Sequence, residues 1–448
     1  MTSLRAFSVI LLCLSAGLTG CLSGGELPSP PSPSSDDHLR CSDPCDVPIS
    51  TSTGQASEPS VTVDPRDPDH MVAAYHELPP PGGAPGAFRL HTLVTWDGGR
   101  TWQDTRLPIG PEVPPDHPMA SFTQSGDPQV AFLADGTVLL TGHGWRGAAT
   151  DRRAYPMDLG PGVNAAPWLF AARSEDGGRT WEHMGFVHEG SGEFNIQVAQ
   201  AMSDRPRLAV GPDGQALLVW QQNNNNHPGY PDTVANDTQA RTYAVSLDGG
   251  LSWSEPAQLD DKPYGYPFLV SAPAIAADGT FYIAGGSLDP GTETYRLTLF
   301  TSQDAGQTWA RTHLGPMAGP PATLAGAALA TGQGPRGTIL HIVYEEDVGE
   351  GETRPTYLGS QDGGNTWTEP IGLAEASPQD ASKRPAVVEG PTGVTAVFQQ
   401  PTDRGDPDAY TVEVVHIGPH GDLTRQRATT SPDRSGIYPG EWLGTAAL

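Results

Sequence analysis

Ser246-Leu247-Asp248-Gly249-Gly250-Leu251-Ser252-Trp253 follows an apolar strand and packs two glycines, an aspartate and two hydroxyls into one short turn before a tryptophan. The same phrase, Ser/Thr-x-Asp-x-Gly-x-Thr/Ser-Trp, occurs at Thr95–Trp102, Ser174–Trp181, Ser302–Trp309 and Ser360–Trp367. Successive aspartates (Asp97, Asp176, Asp248, Asp304, Asp362) are 79, 72, 56 and 58 residues apart. Turn chemistry accounts for each fixed position. Glycine supplies positive φ, the aspartate accepts backbone N–H groups, and the hydroxyls close the same local network. Tryptophan wedges into the seam beside the hairpin and needs a partner for its indole N–H. Five catalytic or metal-binding aspartates would be the competing account, and it explains nothing that the turn does not.

A supersecondary unit repeated at this period indicates a solenoid, a propeller or an array. The phrase resembles the Asp box of the sialidase superfamily (BNR repeat proteins), and the resemblance spans roughly residues 55–430. It implies an all-β fold, a β-propeller. Each unit opens on a residue-Pro pair and a strand of period two: Glu58-Pro59, Asp127-Pro128, Arg205-Pro206, Ala272-Pro273, Pro320-Pro321 and Arg384-Pro385. Turns such as Asp135-Gly136, Asp213-Gly214 and Asp278-Gly279 lead to a second, β-branched and aromatic strand. A third strand, the box and a fourth strand follow. Six complete four-stranded blades are expected, the sixth with a degenerate box near His416–Gly421. Gly440–Leu448 reads either as a partial seventh blade or as a strand closing the ring with Val47–Ser50.

Residues 1–20 carry a positive start and a short apolar run, the pattern of an export signal. That run is too short to span a bilayer. Leu18-Thr19-Gly20-Cys21 resembles a lipobox, which implies lipidation of Cys21 and anchoring at the cell surface or periplasmic face. A plain secretory signal with a chance cysteine is the alternative. Residues 21–46 are rich in Ser and Pro and form a tether. Cys41 and Cys45 within it are expected to form a small disulfide loop. The propeller is then 47–448. The net charge of -27, from 52 acidic and 25 basic residues, excludes the basic stripe that nucleic acid requires.

Strand order divides the two faces. If the first strand of each blade descends, the boxes lie below, and residues before first strands and after second strands share the upper rim. That rim comprises Glu58, Tyr75, His76, Glu77, Asp127, His143, Trp145, Arg146, Asp204, Arg205, Gln221, Gln222, Asp289, Tyr344, Glu345, Glu346, Arg384, Gln399 and Gln400. The longest loops, about 144–167 and 223–239, rise on the same side.

The family resemblance implies three arginines on a sugar carboxylate, a tyrosine nucleophile activated by a glutamate, and an aspartate acid/base. The usual Phe/Tyr-Arg-Ile-Pro opening is absent, and Ser57-Glu58-Pro59 stands in its place. On this resemblance Arg205, Arg384 and Arg434 are the candidate ligand arginines. Asp127 is the candidate acid/base, and Tyr438 with Glu441 the candidate nucleophile pair. Structural ion pairing with neighbouring rim acids is the competing role for each arginine. His143, Trp145, Gln222 and Gln400 are further candidate ligand contacts. No metal ligand or cofactor is assigned. Ca²⁺ at Glu345-Glu346-Asp347 is considered, against the simpler expectation of a solvated loop. The functional expectation is an exported, lipid-anchored propeller acting on glycans as a sialidase-like hydrolase. The alternatives are a non-catalytic module binding glycans or proteins through the upper face, or an assembly scaffold.

Overall fold

The computed structural model describes residues 55–78, 89–146, 168–189, 203–223, 239–259, 271–289, 291–292, 294–319, 326–378, 384–390, 392–403, 406–419 and 421–428. These residues form six antiparallel sheets, each built on an up-and-down run of four strands in sequence order, with a short fifth strand, Ser377–Pro378, added in blade five. The chain is a six-bladed β-propeller. The helical segments among the described residues are two 3-10 turns, Gly110–Glu112 and Pro118–Ser121, and none is long and apolar enough to cross a membrane. Inner strands are Gln55–Asp64, Phe122–Phe132, Ser203–Val210, Ala272–Ile275, Ala327–Gly334 and Ala386–Gly390. The second strands are Asp67–Leu78, Val138–Arg146, Ala216–Asn223, Phe281–Asp289, Gly337–Gly349 and Gly393–Asp403. Inner strands of consecutive blades lie side by side from the first blade to the sixth. Between blades one and two, hydroxyls join them: Val130 N donates to Ser60 Oγ (3.1 Å) and Phe132 N to Thr62 Oγ1 (3.2 Å).

The second strands read as near-continuous apolar runs because both faces of a blade are covered. Leu140 packs into the layer with blade one, alongside Val72 and Val94, whereas its neighbour Leu139 packs towards blade three against Leu218. Leu217 in turn faces Phe281 and Ile283 of blade four. Ile342 and Val343 split the same way between blades four and six. The core is thus a set of layers between blades, each side chain contributing on the order of 1.5–3 kcal/mol on burial.

The five turns carry the expected network. In the first, Thr101 N donates to Asp97 Oδ1 (2.9 Å), Thr101 Oγ1 to Asp97 Oδ2 (2.6 Å) and Gly99 N to Thr95 Oγ1 (3.1 Å). Asp176, Asp248, Asp304 and Asp362 accept the equivalent bonds. The turns also staple blades together. His70 Nε2 meets Gly177 O at 2.8 Å, Arg173 Nη1 donates to Gly249 O, and Tyr243 OH donates to Gly306 O at 2.7 Å. The tryptophans divide. Trp102 and Trp367 donate to the carbonyls of Gly99 and Gly364, and Trp181 reaches Thr92 Oγ1 of the preceding blade. The Trp253 and Trp309 indole N–H groups find no hydrogen-bond partner among the described residues. For Trp309 the cause is visible: Tyr243 stacks edge-on against it and its hydroxyl occupies the equivalent carbonyl, that of Gly306.

The expected Pro320-Pro321 opening of the fifth inner strand lies outside the described residues, and the described part of that strand is Ala327–Gly334. One sequence expectation needs correction. Glu345-Glu346-Asp347 is not a solvated loop but the end of a second strand: Glu345 is fully buried, and Glu346 accepts from Arg354 Nε (2.8 Å) and Thr356 Oγ1 (2.7 Å). With Glu346 engaged this way, no Ca²⁺ is assigned there. In blade six a Gly418–Asp422 turn replaces the box. Val47–Ser50 and Gly440–Leu448 lie outside the described residues, as do Cys21, Cys41 and Cys45.

Candidate functional site

Strand register separates the faces. In blade one Met71 pairs with Thr95 at the Asp97 end, and Glu77 pairs with Arg89 at the other. Glu58 and His76 sit at this second, upper end. The device that equips it is a strained residue-Pro bulge. Glu58, Asp127, Arg205 and Arg384, each followed by proline, have φ of 55°, 50°, 54° and 42°. Residues other than glycine avoid this region, and a following proline favours extended backbone. In the first three blades the ladder slips there, between Ser57 and Ser60, between Gly126 and Gln129, and opposite Val219 and Gln221. A bulge re-aims the side chain it carries. Blade four, with Ala272-Pro273, stays in register, as expected where no functional side chain is presented.

The three bulges converge on one polar cluster. His76 Nδ1 lies 3.3 Å from Glu58 Oε2 and 3.9 Å from Asp127 Oδ1, and His143 Nε2 lies 3.4 Å from the same Asp127 oxygen. Donor atoms of Asp127, His143 and Asp204 lie within 4.8 Å of one another, as do those of Glu58, His76 and Asp127. Arg205 N donates to Asp204 Oδ1 (3.0 Å), and its Nη1 to Gln221 Oε1 (3.2 Å). Glu58 is 4%, Asp127 6%, His143 2% and Arg205 4% exposed, so the cluster is a closed polar core rather than an open cleft.

Burial, followed by the Asp127 charge and a hydrogen bond to it, raises the Glu58 carboxyl well above its ordinary range. For Asp127 burial pulls upward, but the His143 charge and bonds from Glu58 and His143 outweigh it and hold the carboxyl low. Two adjacent carboxyls cannot both ionise cheaply, and the pair divides accordingly. Burial lowers His76 to about 4, so its ring is neutral at pH 7. His143 is raised, burial being outweighed by the Asp127 charge. Burial raises Asp204 and lowers Arg207 to about 10.

Of the residues singled out by sequence, Asp127, His143 and Arg205 come together here. Arg384 occupies the same bulge position in blade six and donates to its own Gln399 (3.2 Å), repeating the Arg205–Gln221 pair. Gln222 is buried, its Oε1 accepting from Ser203 Oγ (2.7 Å) and Trp220 Nε1 (3.0 Å), which gives that oxygen an internal role. Gln400 is half-buried, and its Oε1 has no hydrogen-bond partner among the described residues. Trp145 pairs with Gln124 near the upper end of its strand. Arg434, Tyr438 and Glu441 lie outside the described residues. Sequence reasoning put Glu58, His76 and Asp204 on the rim without assigning them chemistry, and missed Arg207. The available signal was the charged residue before proline in neighbouring repeats.

The upper mouth continues beyond the cluster. In blade four Arg296 Nη1 faces Asp289 Oδ2 at 3.5 Å, and in blade five Arg354 faces Glu346 at 2.8 Å. Blades three to six therefore each present a guanidinium beside an amide or a carboxylate.

No family model matches the chain, and no curated protein matches it. Solved structures do match its course. A protein of unknown function from Dyadobacter fermentans is 18% identical, with a TM-score of 0.45 over 84% of this chain and 94% of that one. An α-L-arabinofuranosidase of Fusarium graminearum, solved with arabinobiose, is 15% identical with a TM-score of 0.47 over 85% and 93%. Trypanosoma rangeli sialidase, solved with the inhibitor DANA, is 13% identical with a TM-score of 0.42 over 74% of this chain. This chain spans only 50% of that sialidase.

Proposed function

We propose that the protein binds carbohydrate on the upper face of the propeller. The observation that carries this is the repeated pairing of guanidinium with amide or carboxylate around the mouth: Arg296–Asp289, Arg354–Glu346 and Arg384–Gln399. Sugar hydroxyls donate and accept at once. Planar amides and forked guanidinium groups held in place by neighbours meet both needs at low entropic cost. The five aspartate turns are at the opposite ends of the strands and serve the fold.

A second reading is hydrolysis of an acidic sugar of the sialidase type. Asp127 would act as acid/base, and Arg205 and Arg384 would hold the carboxylate. The convergence of Asp127 and Arg205 in one cluster favours it. Two features set it second. Glu58, an acid, stands where the family places its first arginine, and Asp127 is buried against His143. We further propose export and anchoring through Cys21, on the lipobox and tether alone.

The test is a panel of sialylated and desialylated glycans, scored for binding and for released sugar. Binding without release, weakened about tenfold or more by Arg384→Ala, is the expected result. Release abolished by Asp127→Asn would promote the hydrolytic reading. No binding to any glycan would overturn both.

A further inference from the structure

The geometry points to a closed divalent-cation site among the upper ends of the first blades, with Glu58, His76 and Asp127 as ligands and His143 and Asp204 beside them. The donors come from three blades. Glu58 and His76 belong to blade one, Asp127 and His143 to blade two, and Asp204 to blade three. Both triplets sharing Asp127 place their donor atoms within 4.8 Å of one another. Two ligands about 2.1 Å from a shared ion at a tetrahedral angle stand about 3.4 Å apart. Within the ligand set the observed separations are 3.3 Å for His76–Glu58 and 3.9 Å for His76–Asp127, and His143 stands 3.4 Å from Asp127 beside it.

A second observation points to an occupant. The Glu58 side chain is 5% exposed, yet its Oε2 has no hydrogen-bond partner. At 3.3 Å from His76 Nδ1 it is near enough to bond and is not aligned to do so. Atoms whose lone pairs converge on a common point, rather than on each other, stand in this relation. A buried carboxyl oxygen left unsatisfied costs free energy that a cation would offset, taking the place of the carboxyl proton.

The donor set selects the ion. Imidazole nitrogen with carboxylate oxygen suits Zn²⁺ or Mn²⁺, whereas Ca²⁺ and Mg²⁺ prefer oxygen alone. Enclosure by the protein is characteristic of a structural rather than a catalytic ion. Such an ion would tie the first two blades together, with the third beside it, and the inference does not depend on what binds above it.

The full chain, stripped with chelator and verified folded by circular dichroism, would be loaded separately with Zn²⁺, Mn²⁺ and Ca²⁺ and desalted. Bound metal would then be measured by mass spectrometry and thermal stability by scanning. About one equivalent of Zn²⁺ or Mn²⁺ should be retained with a raised Tm, and Ca²⁺ should be lost. Glu58→Gln and His76→Gln should each lower retention at least tenfold, while the Cys41→Ser/Cys45→Ser double variant should retain metal like wild type. Should the cluster variants fail to fold, X-ray absorption of the Zn²⁺-loaded wild type decides. A nitrogen/oxygen shell with imidazole scattering is expected. A sulfur-dominated shell, no retained metal, or undiminished retention in folded cluster variants would overturn the site.

Discussion

Asp64 shows how single carboxylates set the acid tolerance of this chain. Hydrogen bonds from Arg66, with a further contact to His70, hold it at about 2 against an ordinary 3.8, although burial acts the other way. Hydrogen bonds from Thr101 hold Asp97 at about 2, and those from Thr308 do the same for Asp304. A carboxylate depressed in the fold contributes stability that is fully present above its unfolded value and lost as pH falls towards the folded one. Stability should therefore fall steeply between about pH 4 and pH 2, and Asp64→Asn should flatten part of that fall in denaturant titrations across the window. An unchanged slope in Asp64→Asn would remove this residue from the account. Position on the rim was legible at this scale from charged residues before proline. Contact was not, because Glu58, His76 and Asp127 meet only when two blades are adjacent and two bulges turn their side chains inward.

At the scale of the element, the turn phrase does two jobs that the sequence shows as one. Hydrogen bonding within the turn follows directly from residue types, and the five networks form as those types require. Stapling to the preceding blade does not, since it depends on which carbonyl faces which neighbour. Two glycines separate the jobs. Gly250 has φ of 84°, and a Cβ there would lie 2.6 Å from a methyl of Leu139 in the preceding blade. Gly279 has φ of 81° with nothing within 4 Å. Gly279→Ala should cost about 1–2 kcal/mol from backbone strain alone, and Gly250→Ala about 2–4 kcal/mol because strain and overpacking add. Equal losses in thermal or denaturant unfolding would refute the staple. Asp248→Ala should cost about 1 kcal/mol by removing the acceptor for Ser252 N (2.9 Å).

Across the whole molecule, the architecture was the most legible property. Five copies of a turn and six residue-Pro openings fix the number of sheets, and the alternation of buried residues to two different layers follows from sheets covered on both sides. The fifth opening, Pro320-Pro321, lies outside the described residues. The proposed anchoring rests on sequence outside the described residues. Cys21→Ser should move the protein from the membrane fraction to the soluble one, and retention in the membrane would refute lipidation at this residue.

The central claim is that ligand and fold occupy opposite ends of the blades. Titration calorimetry with one glycan retained from the panel, on wild type, Arg384→Ala and Asp248→Ala, tests it directly. We predict affinity weakened about tenfold or more in Arg384→Ala and unchanged in Asp248→Ala despite its lower stability. Wild-type affinity in Arg384→Ala together with lost affinity in folded Asp248→Ala would place the ligand on the lower face and contradict the account.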